Sequence, residues 1–176
     1  MQVPILETER LRLRGHTRAD FEASAAMWAE PEVERYIRAK PSTREESWAR
    51  LIRYHGLWPM LDFGYWLVED KQTGRFLGEV GFGDFLREIE PSFNGAPEQG
   101  WVIAPWAQGQ GLAREAGAAT LAWADTNLRG DFVCMIAPEN TPSLRVAARA
   151  GYREFARTNY KDGQTVLLRR PRPISS

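Results

Sequence analysis

Leu11 and Leu13 alternate with Arg10, Arg12 and Arg14 near the start of the chain. A period of two predicts a strand with one buried face. The period then lengthens. Thr17 and Asp20 read as a helix start, after which Phe21, Ala25 and Trp28 share one helical face. Thr43-Arg44-Glu45-Glu46 is a capping box that opens a second helix carrying Trp48, Leu51, Ile52, His55 and Pro59. His55 lies on that apolar stripe, where a packed or edge histidine is expected rather than a catalytic one.

Two strands are predicted over Tyr65–Glu69 and Arg75–Phe85, joined by a turn ending in Thr73-Gly74. A polar stretch with Pro91, Asn94, Gly95 and Pro97 leads to a strand at Gln99–Ile103. Leu112, Ala116, Ala119 and Trp123 recur at helical spacing among small residues that allow close packing. Phe132–Ile136 reads as a short buried strand. Thr141 then caps a helix with Pro142 at its first position, and Gly151 closes it. Late strands at Tyr152–Thr158 and Gln164–Arg169 flank an Asp162-Gly163 turn, and the tail Pro171–Ser176 reads as frayed. This order of elements predicts an α/β (α+β) fold around one sheet, a single domain over residues 1–176.

Composition narrows the function. Lys plus Arg and Asp plus Glu are each 23, so no excess charge draws the chain to nucleic acid or membrane. A lone Cys134 excludes an internal disulfide, and no paired Cys or His cluster suggests a metal site. No apolar run approaches membrane-spanning length, and the acidic start Glu7–Glu9 is unlike a signal peptide, so a cytoplasmic protein is expected.

The most informative segment is Ala104-Pro105-Trp106-Ala107-Gln108-Gly109-Gln110-Gly111-Leu112-Ala113-Arg114. A strand ends, and a glycine-spaced turn opens a helix. Backbone N–H groups then converge at a positive helix end, which suits a pyrophosphate. Gly109 and Gly111 permit close approach, and Arg114 offers a cation. An ordinary glycine-containing turn would read the same way. Without Gly-Lys-Ser/Thr this is no nucleotide-triphosphate loop, and Gly109-x-Gly111-x-x-Arg114 lacks the third glycine of the dinucleotide fingerprint.

Gln108-x-x-Gly111-x-Ala113 resembles the Gln/Arg-x-x-Gly-x-Gly/Ala signature of the GCN-related N-acetyltransferases (GNAT). The resemblance runs along nearly the whole chain and is strongest to the RimJ/RimL-like branch. Thr8-Glu9-Arg10-Leu11-Arg12-Leu13-Arg14 resembles that branch's opening strand, and Gly78-Glu79-Val80-Gly81 its third. Glu98-Gln99-Gly100-Trp101-Val102-Ile103-Ala104-Pro105 resembles its fourth. Asn140-Thr141-Pro142-Ser143 and Ala150-Gly151-Tyr152 resemble its Asn-x-x-Ser and closing Gly-aromatic pair.

The resemblance implies a strongly bent mixed sheet of about seven strands, with helices on both faces, split between strands 4 and 5. Acetyl-CoA would lie in the split as cosubstrate, with no metal. Backbone groups of Val102, Ile103 and Ala104 would meet its pantetheine, and Asn140 the same arm. Gln108, Gly109, Gln110, Gly111, Leu112, Ala113 and Arg114 would hold its pyrophosphate. The partner is an amine acceptor: a protein N-terminus in this branch, or a small amine such as an antibiotic or polyamine. The protein would act as a monomer or homodimer.

Acetyl transfer needs a neutral amine, a polarised carbonyl and a stabilised thiolate. Glu98, at the start of its strand, is the candidate base, acting through water, with Glu79 in reserve. Many family members place a Tyr acid seven positions after the helix-start Asn. Here that position is Ala147, while Ser143 occupies the hydroxyl position of the RimL-like branch. A non-catalytic acyl-CoA-binding domain is the alternative that Ala147 keeps open. Trp58, Tyr65, Trp66 and Trp101 are candidate walls of an acceptor pocket.

Overall fold

The computed structural model describes residues 2–37, 40–161 and 163–172. Asp162 of the expected turn and the last four residues of the tail lie outside them. Strand β1 (Leu6–Glu7) pairs with β2 (Leu11–Arg14), where Leu11 and Leu13 are fully buried and the arginines point outward. A 3-10 turn at Arg18–Asp20 leads into α1 (Phe21–Trp28), and the short α2 (Pro31–Glu34) follows. In α3 (Arg44–Leu61), Thr43 accepts the N–H of Glu46, and the Glu46 carboxylate accepts that of Thr43. Next come β3 (Tyr65–Asp70), β4 (Phe76–Gly83) and β5 (Glu98–Ile103). Helix α4 (Leu112–Asn127), β6 (Phe132–Ile136), α5 (Thr141–Arg149), β7 (Arg153–Tyr160) and β8 (Gly163–Arg170) complete the order.

All strands join one eight-stranded sheet in the order β1-β2-β3-β4-β5-β6-β8-β7. Seven strands were expected. The eighth is β1, whose two residues are too short to leave a periodic signal. Every pairing is antiparallel except β5–β6, which is parallel and pairs only at Glu98↔Val133. Beyond that pair the two strands diverge. The split expected between the fourth and fifth predicted strands therefore falls between β5 and β6.

Alternation along the strands sorts two cores. On one face Trp66, Val68, Val80, Phe82 and Ile103 pack with Leu112, Ala116, Leu121 and Ala124 of α4. On the other, Met27, Trp28 and Val33 of α1 and α2 cover Ala104, while Tyr54 and Leu57 of α3 cover Tyr65. Helices thus flank both faces. Over β6 and β8 that second face is covered by the segment between β4 and β5, through Ile89 and Phe93 on Val133 and Leu167.

Two local expectations change, while His55 keeps the edge position expected of it. The buried stripe of α3 runs through Ser47, Leu51, Tyr54, Leu57 and Trp58, leaving Trp48 and Ile52 at 38% and 53% exposure. His55 sits exposed at the edge, its Nδ1 3.4 Å from the carbonyl oxygen of His16. Helix α5 is capped by Asn140, not Thr141, because the Asn140 carbonyl accepts the N–H of Ser143 at 3.2 Å. No helix among the described residues is long and apolar enough to cross a membrane.

Candidate active site

The site is assembled where β5 leaves β6. At the apex, Glu98 pairs with Val133, and the Val133 N–H donates to the carbonyl of Pro97 at 3.1 Å. Past this point β5 is still laddered to β4 on one edge, from Glu98↔Gly83 to Ile103↔Gly78. Its other edge has no strand partner, so main-chain groups there are available to an extended ligand. Gly78 makes the β4–β5 approach possible: a Cβ there would lie 2.2 Å from the carbonyl oxygen of Val102.

The chain leaves β5 through Ala104 and a 3-10 turn at Pro105–Ala107, then reaches α4 through two glycines in the left-handed region. Gly109 has φ 75° and Gly111 φ 78°, conformations that side chains rarely tolerate. Gly111 is the N-cap of α4 and brings no capping side chain, so the first-turn N–H groups of Leu112, Ala113 and Arg114 face outward. A Cβ on Gly109 would meet nothing within 4 Å, and one on Gly111 only Arg10 Nη2 at 3.8 Å. The turn is open from outside, as a phosphate requires.

Hydrogen bonds from Gln108, Arg10 and Thr8 hold this turn. Gln108 Nε2 donates to the Ile103 carbonyl at 2.9 Å, tying the loop to the end of β5. Arg10 Nη1 donates to the Gln110 carbonyl at 3.0 Å, while its Nε and Nη2 grip Glu115 at 2.7 and 2.6 Å. Thr8 Oγ1 and the Arg10 N–H also donate to Glu115, so α4 and the loop are clasped to the chain around β2. Burial disfavours the charged Glu115, yet the Thr8 and Arg10 hydrogen bonds outweigh it and lower its pKa. Arg10 entered the sequence argument only as an outward strand residue.

Across the split stand Asn140 and Ser143. Asn140 spends its carbonyl on capping α5, and the Ser143 hydroxyl makes no hydrogen bond to another described residue. Ala147 is fully buried in the core, so the position of a tyrosine acid is filled by packing.

Both candidate carboxylates lie on the α1/α3 face, and both are engaged. Glu98, 5% exposed, takes a two-pronged ion pair from Arg87, Nε–Oε2 2.5 Å and Nη2–Oε1 2.7 Å. Arg87 Nη1 also donates to Tyr160 Oη at 3.2 Å. Burial works against the charged guanidinium, but the Glu98 bonds prevail and raise its pKa above the ordinary arginine value. Glu79, 1% exposed, accepts from Ser24 Oγ at 2.7 Å and Trp28 Nε1 at 2.8 Å, with His16 Nε2 at 3.4 Å. Burial would raise its pKa, and these partners, led by His16, bring it below 4.5.

Of the aromatic residues put forward as pocket walls, Tyr65 faces this side. Trp58 and Trp66 form an edge-to-face cluster with Trp123 at 4.6, 5.5 and 5.2 Å in the opposite core, and Trp101 packs against that core. Tyr65 stacks on Tyr54 at 4.1 Å and 1°. Two surface hollows, one beside Phe21 and Trp48 and one beside His16 and Ile52, lie along α1 and α3 and not in the split.

A mixed sheet opened at one parallel pair, with an uncapped glycine helix start beside the opening, sets a cleft for an extended ligand next to a site suited to phosphate. The sequence profile of the acetyltransferase (GNAT) domain matches residues 10–153, and the chain belongs to this family of acetyl-CoA-dependent enzymes. It is 31% identical over 153 residues to the Bacillus subtilis protein YkkB, spanning 83% of each chain. A Bordetella pertussis structure assigned to the same family superposes with a TM-score of 0.84 at 33% identity, covering 95% of this chain and 99% of that one. The ribosomal-protein-S5-alanine acetyltransferase of Vibrio fischeri shares the fold, with TM-score 0.73, 21% identity and coverage of 96% and 97%.

Proposed function

We propose that the protein acetylates the α-amine of a protein or peptide N-terminus, by direct attack on acetyl-CoA in a ternary complex. The observation that carries this reading is the Arg87–Glu98 ion pair. Both Glu98 oxygens already accept from the guanidinium, which argues against the base role first assigned to Glu98. Glu79 is saturated by Ser24, Trp28 and His16 and sits in the core. A site without a ready base favours an amine that is already neutral. An α-amine, at about 7.7–8.0, is partly neutral near pH 7, whereas a lysine at about 10.4 is not. The same engagement leaves these carboxylates poor anchors for a polyamine or aminoglycoside. The shared fold of the Vibrio fischeri ribosomal-protein-S5-alanine acetyltransferase supports this acceptor class.

In this reading the free edge of β5 at Ile103 pairs with the pantetheine, whereas Ala104, whose N–H donates to the Leu77 carbonyl, and Val102 turn their main-chain groups to β4; Asn140 faces the same arm. The turn Gln108–Arg114 receives the pyrophosphate. The backbone N–H of Ile103 polarises the carbonyl, since alternation turns that of Val102 toward β4. The Ser143 hydroxyl donates to the departing sulfur, which suffices because a thiol, at about 8.5, is a tolerable leaving group. Glu98 fixes the apex through Arg87. The test is a thiol-release screen of peptides, polyamines and aminoglycosides with acetyl-CoA. Peptides should turn over best, and a clear preference for polyamines or aminoglycosides would overturn the acceptor class.

A further inference from the structure

Tyr65 reaches across two glycines toward the apex of the split. The ladder registers Tyr65 against Gly81 and Gly81 against Gly100, all on the α1/α3 face. A Cβ on Gly81 would fall 2.4 Å from the Tyr65 Cα, and one on Gly100 2.2 Å from the Tyr65 hydroxyl. Gly81 thus lets the backbone of residues 64 and 65 come close, and Gly100 leaves the space in which the phenol lies against β5. Its oxygen ends over Gly100, two residues past the last β5–β6 pair.

The ring is held firmly. Tyr54 stacks on one side, and Phe85 approaches at 6.4 Å. The residue is 6% exposed and its hydroxyl makes no hydrogen bond to another described residue, yet the oxygen is not among the fully enclosed unpaired atoms, so it stays open to a partner from outside. Burial, reinforced by the neighbouring Tyr54 and Glu98, raises its pKa well above 10. It stays neutral, able to give or accept a hydrogen bond but not to serve as an anion.

We propose that Tyr65 is a catalytic residue that touches the acceptor: its hydroxyl oxygen accepts an N–H of the incoming amine and aims the lone pair at the carbonyl. This rests on the acetyltransferase reading and deepens it. The nitrogen lone pair forms the C–N bond, the C–S bond breaks, and the proton lost by nitrogen ends on the thiolate, so no further reactant is needed. Nitrogen gains positive charge as it attacks, and the hydrogen bond to Tyr65 strengthens with it.

The experiment uses Tyr65→Phe, which keeps the ring stack, and two ligands measured by calorimetry. One is acetyl-CoA. The other is a conjugate whose CoA sulfur is joined through a –CH2–CO– bridge to the α-nitrogen of a Ser-Ala peptide. The variant should bind acetyl-CoA as wild type does and lose about tenfold in affinity for the conjugate, as expected for one hydrogen bond. With a turned-over peptide, kcat/KM should fall by at least the same factor while KM for acetyl-CoA stays put. Equal conjugate affinity in both proteins overturns the proposal. Wild-type protein that fails to bind acetyl-CoA overturns the acetyltransferase reading itself, and this proposal with it.

Discussion

Breaking the Arg87–Glu98 pair tests whether Glu98 holds the apex or serves as a base. Removing one partner of a buried ion pair costs about 3–5 kcal/mol, because the other charge is left desolvated and unpaired. Here the two partners differ: the Glu98 side chain is 7% exposed and that of Arg87 21%. Arg87→Met strands the more deeply buried group and should cost about 3 kcal/mol. Glu98→Gln leaves a guanidinium that water can reach and should cost less, about 1–2 kcal/mol. For a chain of this size 1 kcal/mol moves Tm by about 2–4 °C, so Arg87→Met should melt roughly 6–12 °C below wild type. The double variant should be more stable than the sum of the single losses predicts, by at least about 1 kcal/mol. Urea denaturation gives these differences directly. Single variants within about 0.5 kcal/mol of wild type, with additive effects, would refute the reasoning. The pH profile of kcat/KM adds a second readout. It should keep its shape in Glu98→Gln, and a lost ionisation there would restore Glu98 as the base.

Gly111→Glu should abolish acetyl-CoA binding by calorimetry, since it forces a side chain onto φ 78° and sets an anion at the uncapped start of α4; unchanged affinity would move the pyrophosphate elsewhere. Ser143→Ala should lower kcat by about tenfold to a hundredfold, with KM for acetyl-CoA changed only a few-fold; wild-type kcat would reduce Ser143 to a helix-start residue. Glu79 has a lowered pKa in the folded protein, so the unfolded chain binds its proton more readily. Its stabilisation is complete above 4.5 and is lost as pH falls through the lower folded value. Glu79→Gln should therefore be about 2 kcal/mol less stable than wild type at pH 7, with the gap closing as pH falls below 4.5. A gap independent of pH would contradict this.

Patterns with short periods and strong caps were legible in the chain. Phe132–Ile136 matches β6, the Thr43 capping box opens α3, and Leu112 begins α4. The glycine pair at 109 and 111 marked its turn because only a left-handed backbone needs glycine at both positions. The buried face of α3 was misjudged because Trp48 and Ile52 are apolar yet face outward, while Ser47 and Tyr54 go in. Periodicity counts apolar residues and cannot weigh a tyrosine that has a stacking partner waiting in β3. Arg87 left no trace at all. It lies in the irregular segment before β5, and only the folded chain brings it to Glu98 and to Tyr160 of β7. Likewise Gly81 and Gly100 read as unremarkable strand glycines until the register stacks them beneath Tyr65.

The most direct test of the account is the position of the transferred acetyl group. A peptide with a free Ser or Ala α-amine and an internal lysine, incubated with the protein and acetyl-CoA, can be mapped by fragmentation mass spectrometry. The account predicts acetyl on the α-nitrogen and none on lysine at pH 7, because only the α-amine is appreciably neutral without a base. Acetyl on the lysine side chain, or tight acetyl-CoA binding with no transfer to any α-amine, would contradict it.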